Sequence, residues 1–243
     1  MRNKAAIFII GALAVVACDK HDPILPGERS DIFSTTTLNV LNEPVPDAPE
    51  NIATIESVDC PYTQKPDNTI WDGERKIFSG FATGNSVAGT RHPICNGRYV
   101  YAGLSTGELV KINPRSREIV WIADVYRPSN MTGGASVLDI VAPAQIRDKY
   151  IYVGGLGDAF CKISDASGRA AWCLDIGVEK SFIITDTVAY VLDTEKNLNA
   201  VRLNDGAIYW RTAVKKSRTP KYENKTVIVG SEKFNAADGK LLK

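Results

Sequence analysis

The chain has 243 residues, with 29 Lys and Arg against 28 Asp and Glu and a formal net charge of +1. So even a balance argues against a nucleic-acid protein, whose phosphate contacts demand a basic face. The length suffices for one domain with a sizeable core, and beyond the N-terminal segment no apolar run could span a bilayer.

In chain order, Arg2 and Lys4 form a short positive region ahead of an apolar run from Ala5 to Val16. That run falls short of the roughly 20 residues a spanning helix needs, which fits a cleaved signal over residues 1–17. It ends in Leu13-Ala-Val-Val-Ala17-Cys18, and small residues before a cysteine resemble the bacterial lipoprotein box. The resemblance implies cleavage before Cys18 and lipid attachment to it; stable anchoring takes at least two acyl chains. The plainer alternative is an ordinary signal peptide cut elsewhere, with Cys18 incidental. Asp19 resembles an inner-membrane retention signal of some bacteria, so both membranes stay open, with the outer one the leading expectation. Either way the mature chain is expected to face the periplasm.

Residues 18–67 change in composition. Pro23, Pro26, Pro44, Pro46, Pro49, Pro61 and Pro66 lie among polar and acidic residues with no sustained period, which reads as an extended or disordered tether. Thr35-Thr-Thr-Leu-Asn-Val-Leu41 is β-prone, but the surrounding pattern does not require a strand. Asn68-Thr-Ile-Trp71-Asp then brings a strand with a tryptophan.

From there a Tyr/Val-rich segment returns: Tyr99-Val-Tyr-Ala-Gly, Tyr150-Ile-Tyr-Val-Gly, Val188-Ala-Tyr-Val-Leu and Val227-Ile-Val-Gly-Ser. The first three repeats end in Ile119-Val-Trp121, Ala170-Ala-Trp172 and Ile208-Tyr-Trp210. A period of about 40 residues marks units that must stack to bury their faces. Within each unit, strands such as Glu108–Ile112, Ala159–Ile163 and Leu198–Leu203 alternate with Asn/Asp/Gly turns, which supply the positive φ of short hairpins. Leu138–Ala142 and Ser181–Thr185 are candidates for innermost strands. Four strands per unit predict an all-β protein, a propeller of about four blades over residues 68–243.

The pattern of strand, Gly turn, strand ending in Leu/Ile-Asn/Asp, Asp-x-x-Gly turn and apolar-apolar-Trp resembles the PQQ-like β-propeller repeat, best at Tyr150–Trp172 and Leu198–Trp210. With the lipoprotein box and the tether, including Asp22-Pro-Ile-Leu-Pro-Gly27, the chain resembles the BamB family of outer-membrane protein assembly lipoproteins. There are departures. Arg117 stands where the turn usually has Gly, and an insertion at Arg127–Ser136 lengthens the first repeat. The family implies larger closed rings, whereas the last repeat here reaches Lys243 before a fourth tryptophan. The expectations are a small closed ring, with the Trp71 strand completing the last blade, an open arc that self-associates through its blade edges, or a truncated relative. The last two are favoured because the repeat wedge suits larger rings.

Recurrence decides the role of the tryptophans. Trp121, Trp172 and Trp210, with Trp71, are expected to fill the wedge between blades, since a catalytic or ligand-stacking site would be unique. Besides Cys18 the cysteines form an even set in an oxidising compartment. Cys161 and Cys173 fall near-opposite on one hairpin and are expected to bridge, the alternative being two buried thiols; Cys60 and Cys95 would then tie the tether to the first blade. No CxxC spacing occurs and the only histidines are His21 and His92, so no metal is expected. The PQQ-dependent dehydrogenases that share the repeat use adjacent cysteines, calcium and a catalytic aspartate. Here no adjacent cysteines occur, and Asp158, Asp165 and Asp205 read as turn formers, so neither PQQ nor enzymatic activity is expected. The basic stretch with Lys215, Lys216, Arg218 and Lys221 is a solvated loop or a contact with an acidic partner or anionic head groups. By resemblance the chain would be a non-enzymatic scaffold binding BamA-like periplasmic domains of the β-barrel assembly machinery. The alternatives are a propeller that takes a small ligand or cell-wall glycan, and a degenerate paralogue with another partner.

Overall fold

Turn chemistry cuts the chain into short antiparallel strands. The computed structural model describes residues 38–50, 52, 60–83, 87, 92–126 and 137–242, and contains no helix among them. Cys18, Asp19, His21, the signal segment and the Arg127–Ser136 insertion lie outside the described residues.

Among the described residues nineteen strands form five sheets in sequence order. The first has three: β1 (Thr63–Gln64), β2 (Thr69–Asp72) and β3 (Arg75–Ser79). The second has β4 (Ile94–Asn96), β5 (Tyr99–Gly103), β6 (Glu108–Asn113) and β7 (Glu118–Asp124). The third has β8 (Gln145–Arg147), β9 (Tyr150–Gly155), β10 (Ala159–Ser164) and β11 (Ala170–Leu174). The fourth has β12 (Ile183–Ile184), β13 (Val188–Leu192), β14 (Asn197–Arg202) and β15 (Ile208–Ala213). The fifth has β16 (Lys221–Glu223), β17 (Thr226–Val229), β18 (Glu232–Asn235) and β19 (Leu241–Leu242). Every neighbouring pair is antiparallel, the meander of a propeller blade.

Successive sheets share cores. Ile70, Ile77 and Phe78 pack on Ala102, Leu104, Val110 and Ile112 between the first and second sheets. Tyr101, Leu109 and Trp121 pack on Ile151, Val153 and Ile163 between the second and third. Phe160, Leu174 and Val178 meet Ala189, Val191 and Val201 at the next interface. Tyr190, Leu198 and Trp210 meet Val227, Val229 and Phe234 at the last. Among the described residues no such cluster joins the fifth sheet to the first.

Three expectations are corrected. The last sheet is complete: Gly239, at φ +68°, turns the chain back so that Leu241 pairs with Phe234 and Leu242 with Lys233. Trp71 therefore does not complete it; β2 is held in the first sheet by a tight hairpin at Asp72–Arg75, with Gly73 at φ +57°. Finally, Leu138–Ala142 is not a strand. Pro143 follows it, Ile140 N–H donates to Leu104 O, and Gln145–Arg147 is the strand beside β9 instead.

Part of the proline-bearing stretch is seated on the sheets. Val40 bridges Ile208 in parallel, Ile208 N–H donates to Asn39 O, Leu41 N–H donates to Ile208 O, and Val45 N–H donates to Ala237 O. Val45 is buried in the last core, with Leu41 and Ala48 against it. The prolines keep this strap extended, and its apolar residues find the outer groove of the fourth and fifth sheets.

Candidate functional site

The recurring tryptophans occupy one structural position each time. In the second, third and fourth sheets the register shifts one step before the tryptophan, between Lys111 and Ile112, Lys162 and Ile163, and Ala200 and Val201. Such a bulge re-aims the outer strand and turns the indole toward the following sheet. Trp121 Nε1 donates to Asp165 O at 2.9 Å, Trp172 Nε1 to Leu203 O at 3.2 Å and Trp210 Nε1 to Ala236 O at 3.2 Å. A tyrosine flanks each ring: Tyr101, Tyr152 and Tyr190, with centroids 6.1, 6.3 and 5.9 Å away. The facing turn carries Gly168, Gly206 or Gly239, where a Cβ would come within 2.8, 3.0 and 2.5 Å of the ring. These glycines serve twice, giving positive φ and letting the indole lie flat on the turn.

The first interface is built differently. Trp71 sits on β2, outside the interface core; its Nε1 donates to Thr69 Oγ1 of the same strand at 2.7 Å, and Lys65 Nζ lies 3.9 Å from the ring centroid. It is therefore not the counterpart of the other three, correcting the expectation of a fourth blade-packing ring. The turn facing this sheet has Arg117 at φ +61° in place of glycine. With no indole to receive, the turn needs no bare Cα. Gln64 Nε2 donates to Gly103 O at 2.6 Å and Asn68 Nδ2 to Ser105 Oγ at 2.7 Å across this interface. Cys60, just ahead of β1, is disulfide-bonded to Cys95 on β4, with Cα atoms 5.2 Å apart. Cys161 and Cys173 are register partners on β10 and β11, bonded, with Cα atoms 4.1 Å apart.

Charge is concentrated at the same interfaces. Lys111 Nζ lies 2.7 Å from Asp165 Oδ1, which also accepts from Tyr101 OH at 2.6 Å. Burial opposes ionisation of Asp165, but the bonds from Lys111 and Tyr101 outweigh it and hold the carboxyl below the usual carboxylate range. Burial, then Asp165, push the Tyr101 phenol up. Burial pushes Tyr152 up to about 12. Lys162 gives Nζ to Leu203 O at 2.8 Å, and burial lowers its pKa. Arg211 bridges Asp193 and Glu195, each at 2.8 Å. Lys111 and Lys162 thus bind sheet to sheet, while Arg211 ties β15 to the β13–β14 turn within the fourth sheet.

That commitment bears on the cofactor suggested by the repeat. Asp165 is held by Lys111 and Tyr101, and Asp205 by Arg202, whose guanidinium donates to both carboxylate oxygens. The four described cysteines form two disulfides far apart in sequence, and none are adjacent. These residues do not fit a quinone and calcium site. Among the described residues no group of three His, Cys, Asp or Glu could hold a metal ion. A shallow cleft with room for about one water is lined by Gln64, His92, Ile94, Tyr101 and Ile140, far too small for a ligand, and Gln64 already donates to Gly103.

The basic residues fall on the connection between β15 and β16. Lys215, Lys216 and Arg218 are exposed or nearly so; Lys215 N–H donates to a Glu232 carboxylate oxygen at 2.8 Å, and Arg218 lies over Gly230. The stretch thus has a fixed backbone and free cationic ends. The signal that sequence reading missed is the strap: Leu38, Val40, Leu41 and Val45 are apolar, but the proline spacing hides any alternation.

A family model described as outer membrane protein assembly factor BamB matches residues 62–241. The outer membrane protein assembly factor BamB of Alkalilimnicola ehrlichii is 25% identical over 126 residues, covering 52% of this chain and 33% of that protein. That of Bordetella pertussis is 27% identical over 152 residues, covering 59% and 39%. The chain thus spans little more than a third of the curated relatives it matches. The crystal structure of BamB from Moraxella catarrhalis superposes with a TM-score of 0.52 at 15% identity, covering 75% of this chain and 62% of that one. A computationally designed protein, Ika8, gives a TM-score of 0.50 at 10% identity, over 76% and 55%. These structural likenesses show the fold.

Proposed function

Because the chain belongs to the BamB family, we propose that it is a non-enzymatic scaffold of the cell envelope, anchored through Cys18, that assists assembly of β-barrel proteins into the outer membrane. Its partners would be the BamA-like periplasmic domains of the assembly machinery and the extended barrel segments they handle. The observation that carries this reading is the use of chemistry-bearing residues as joints. Trp121, Trp172 and Trp210 are spent on sheet interfaces, Asp165 and Asp205 on turns, and what faces outward is loops and strand edges. Such surfaces recognise other chains by main-chain pairing and charge. No cofactor enters the mechanism.

Deletion of the gene is expected to lower the levels of outer-membrane β-barrel proteins, and crosslinking from native membranes to recover the assembly machinery. Normal barrel levels in the deletion strain, with purified protein binding a defined cell-wall glycan, would sink the reading. The loop at Lys215, Lys216 and Arg218 is read as a contact for an acidic partner. Lys215→Glu with Lys216→Glu is expected to abolish a salt-sensitive pull-down, whereas a solvated loop would leave it unchanged.

A further inference from the structure

Hairpin phase gives the sheets two rims. In each four-stranded sheet the turns between the first and second strands and between the third and fourth fall at one end, and the middle turn falls at the other. Contacts between sheets keep these ends in line. At the first rim Asp165 N–H donates to Lys149 O, Trp121 and Lys111 donate to Asp165 O, and Trp172 and Lys162 donate to Leu203 O. At the second rim Val125 N–H donates to Gly107 O and Val178 N–H to Gly155 O. The rims differ in charge. On the second and third sheets the four turns of the first rim carry Arg98, Arg115, Arg117, Lys149 and Arg169, all exposed. The exposed carboxylates there are Glu118 and Asp148, and Asp165 is answered by Lys111, so positive charge is left over. The second rim of the same two sheets has Glu108, Asp124 and Asp158, and its middle turns hold no lysine or arginine.

The chain arrives at the same rim. The strap pairs with the first residues of β15, just past the β14–β15 turn: Val40 bridges Ile208 in parallel, and Ile208 N–H donates to Asn39 O. β15 runs away from the first rim, and a parallel partner runs the same way, so the strap enters from that side. Leu38 packs on the core shared by the third and fourth sheets, beside the sheet that carries Lys149 and Arg169. Further along, the strap follows this rim to Ala237 and Lys225. Cys18 lies 20 positions before Leu38, which bounds their separation at about 70 Å.

We propose that the first rim of the second and third sheets rests on the anionic phospholipid head groups of the bilayer that holds Cys18. This rests on the anchored reading of the chain and adds which way the molecule faces. An anchor fixes position and not direction. The cations supply direction, since their attraction to an anionic surface fades within a Debye length of about 10 Å and acts only when these turns touch it. The tether keeps the local lipid concentration high, so a few charges suffice. The carboxylates of the second rim then face away from the bilayer. So does the loop with Lys215, Lys216 and Arg218, which starts at the second rim, where Val214 N–H donates to Lys196 O, and is left open to a partner.

The full-length chain, purified from membranes and placed in nanodiscs that contain a spin-labelled head-group lipid, tests this. A fluorophore is attached at Ser116→Cys on the first rim or at Thr219→Cys in the loop of the second, both exposed positions. In discs of phosphatidylglycerol with phosphatidylcholine, the label at 116 is expected to be quenched about fivefold more than the label at 219. The preference is expected to vanish in phosphatidylcholine alone and at about 0.5 M salt. Arg115→Glu with Lys149→Glu is expected to abolish it, and Arg115→Lys with Lys149→Arg to keep it. Both positions lie in exposed turns, and unchanged near-ultraviolet circular dichroism checks their fold. Equal quenching at the two rims, stronger quenching at 219, or a preference that persists in phosphatidylcholine overturns the inference. So does protection of the label at 116 in native envelopes without quenching in the anionic discs, which assigns these turns to an acidic protein. Mass spectrometry of Cys18 separates the two readings. An unlipidated cysteine sinks the anchored scaffold and this inference together, whereas a lipidated chain with no rim preference sinks this inference alone.

Discussion

Single residues here act mostly by what they allow a neighbour to do. Asp165 lets Lys111 be buried: the lysine side chain is 5% exposed and its charge is met by that carboxylate at 2.7 Å. The folded carboxyl sits below its ordinary value, so the folded state binds fewer protons than the unfolded one around pH 4. Its contribution is therefore complete above the unfolded pKa and disappears as pH falls through the lower folded one. Urea titrations between pH 7 and pH 2 are expected to show that loss, and Asp165→Asn to remove it. At neutral pH the same substitution leaves the Lys111 charge without its carboxylate and is expected to cost about 3 kcal/mol. Gly239 is a second such residue. Its alanine variant meets both a positive φ and the Trp210 ring, whereas Gly230, also at positive φ, has only the flexible Arg218 at 3.4 Å. Gly239→Ala is expected to destabilise by about 1–3 kcal/mol more than Gly230→Ala, read as a shift in urea midpoint.

At the scale of elements, the joints differ in kind. The last three interfaces use an indole laid on a glycine turn; the first uses an apolar cluster, two polar cross-links and the Cys60–Cys95 disulfide. Trp210→Ala should therefore cost about 3–5 kcal/mol, as for a large buried aromatic, while Trp71→Ala, outside the interface, costs about 1 kcal/mol or less. Thermal or urea unfolding of the two variants separates them, and equal losses would refute the assignment of different roles. Losing the Cys60–Cys95 bond removes a loop of separation 35, worth about 3–4 kcal/mol in the chain-entropy account. Hydrogen exchange of a Cys60→Ser and Cys95→Ser variant is expected to rise first in β1–β3, with β8–β15 still protected.

Among the described residues each sheet shares its core with the next, so each depends on its neighbours, and the strap adds a second tie across the fourth and fifth. Val45, 3% exposed, is the peg of that tie. Val45→Asp is expected to cost about 3 kcal/mol and to speed exchange at Leu41 and Ile208, whose N–H groups donate across the strap contact, more than in the first sheet. The fifth sheet shows why position in the row matters. Val227, Val229 and Phe234 face the fourth sheet, while Lys221, Ile228, Lys233 and Leu242, register partners across the other side, mix charge with apolar surface.

The all-β architecture, the turn positions and the recurrence of Trp121, Trp172 and Trp210 were legible in the sequence, because strand alternation and turn glycines are local properties that composition displays directly. The pairing of Cys161 with Cys173 was within reach too, since a hairpin fixes its own register. Which sheet owns Trp71, that two leucines complete the last sheet, and that a proline-bearing stretch binds the β15 edge were decided by tertiary structure alone. Each is a choice among distant partners of similar chemistry, and only the packing of whole sheets, with grooves to fill and edges to cover, tells those partners apart.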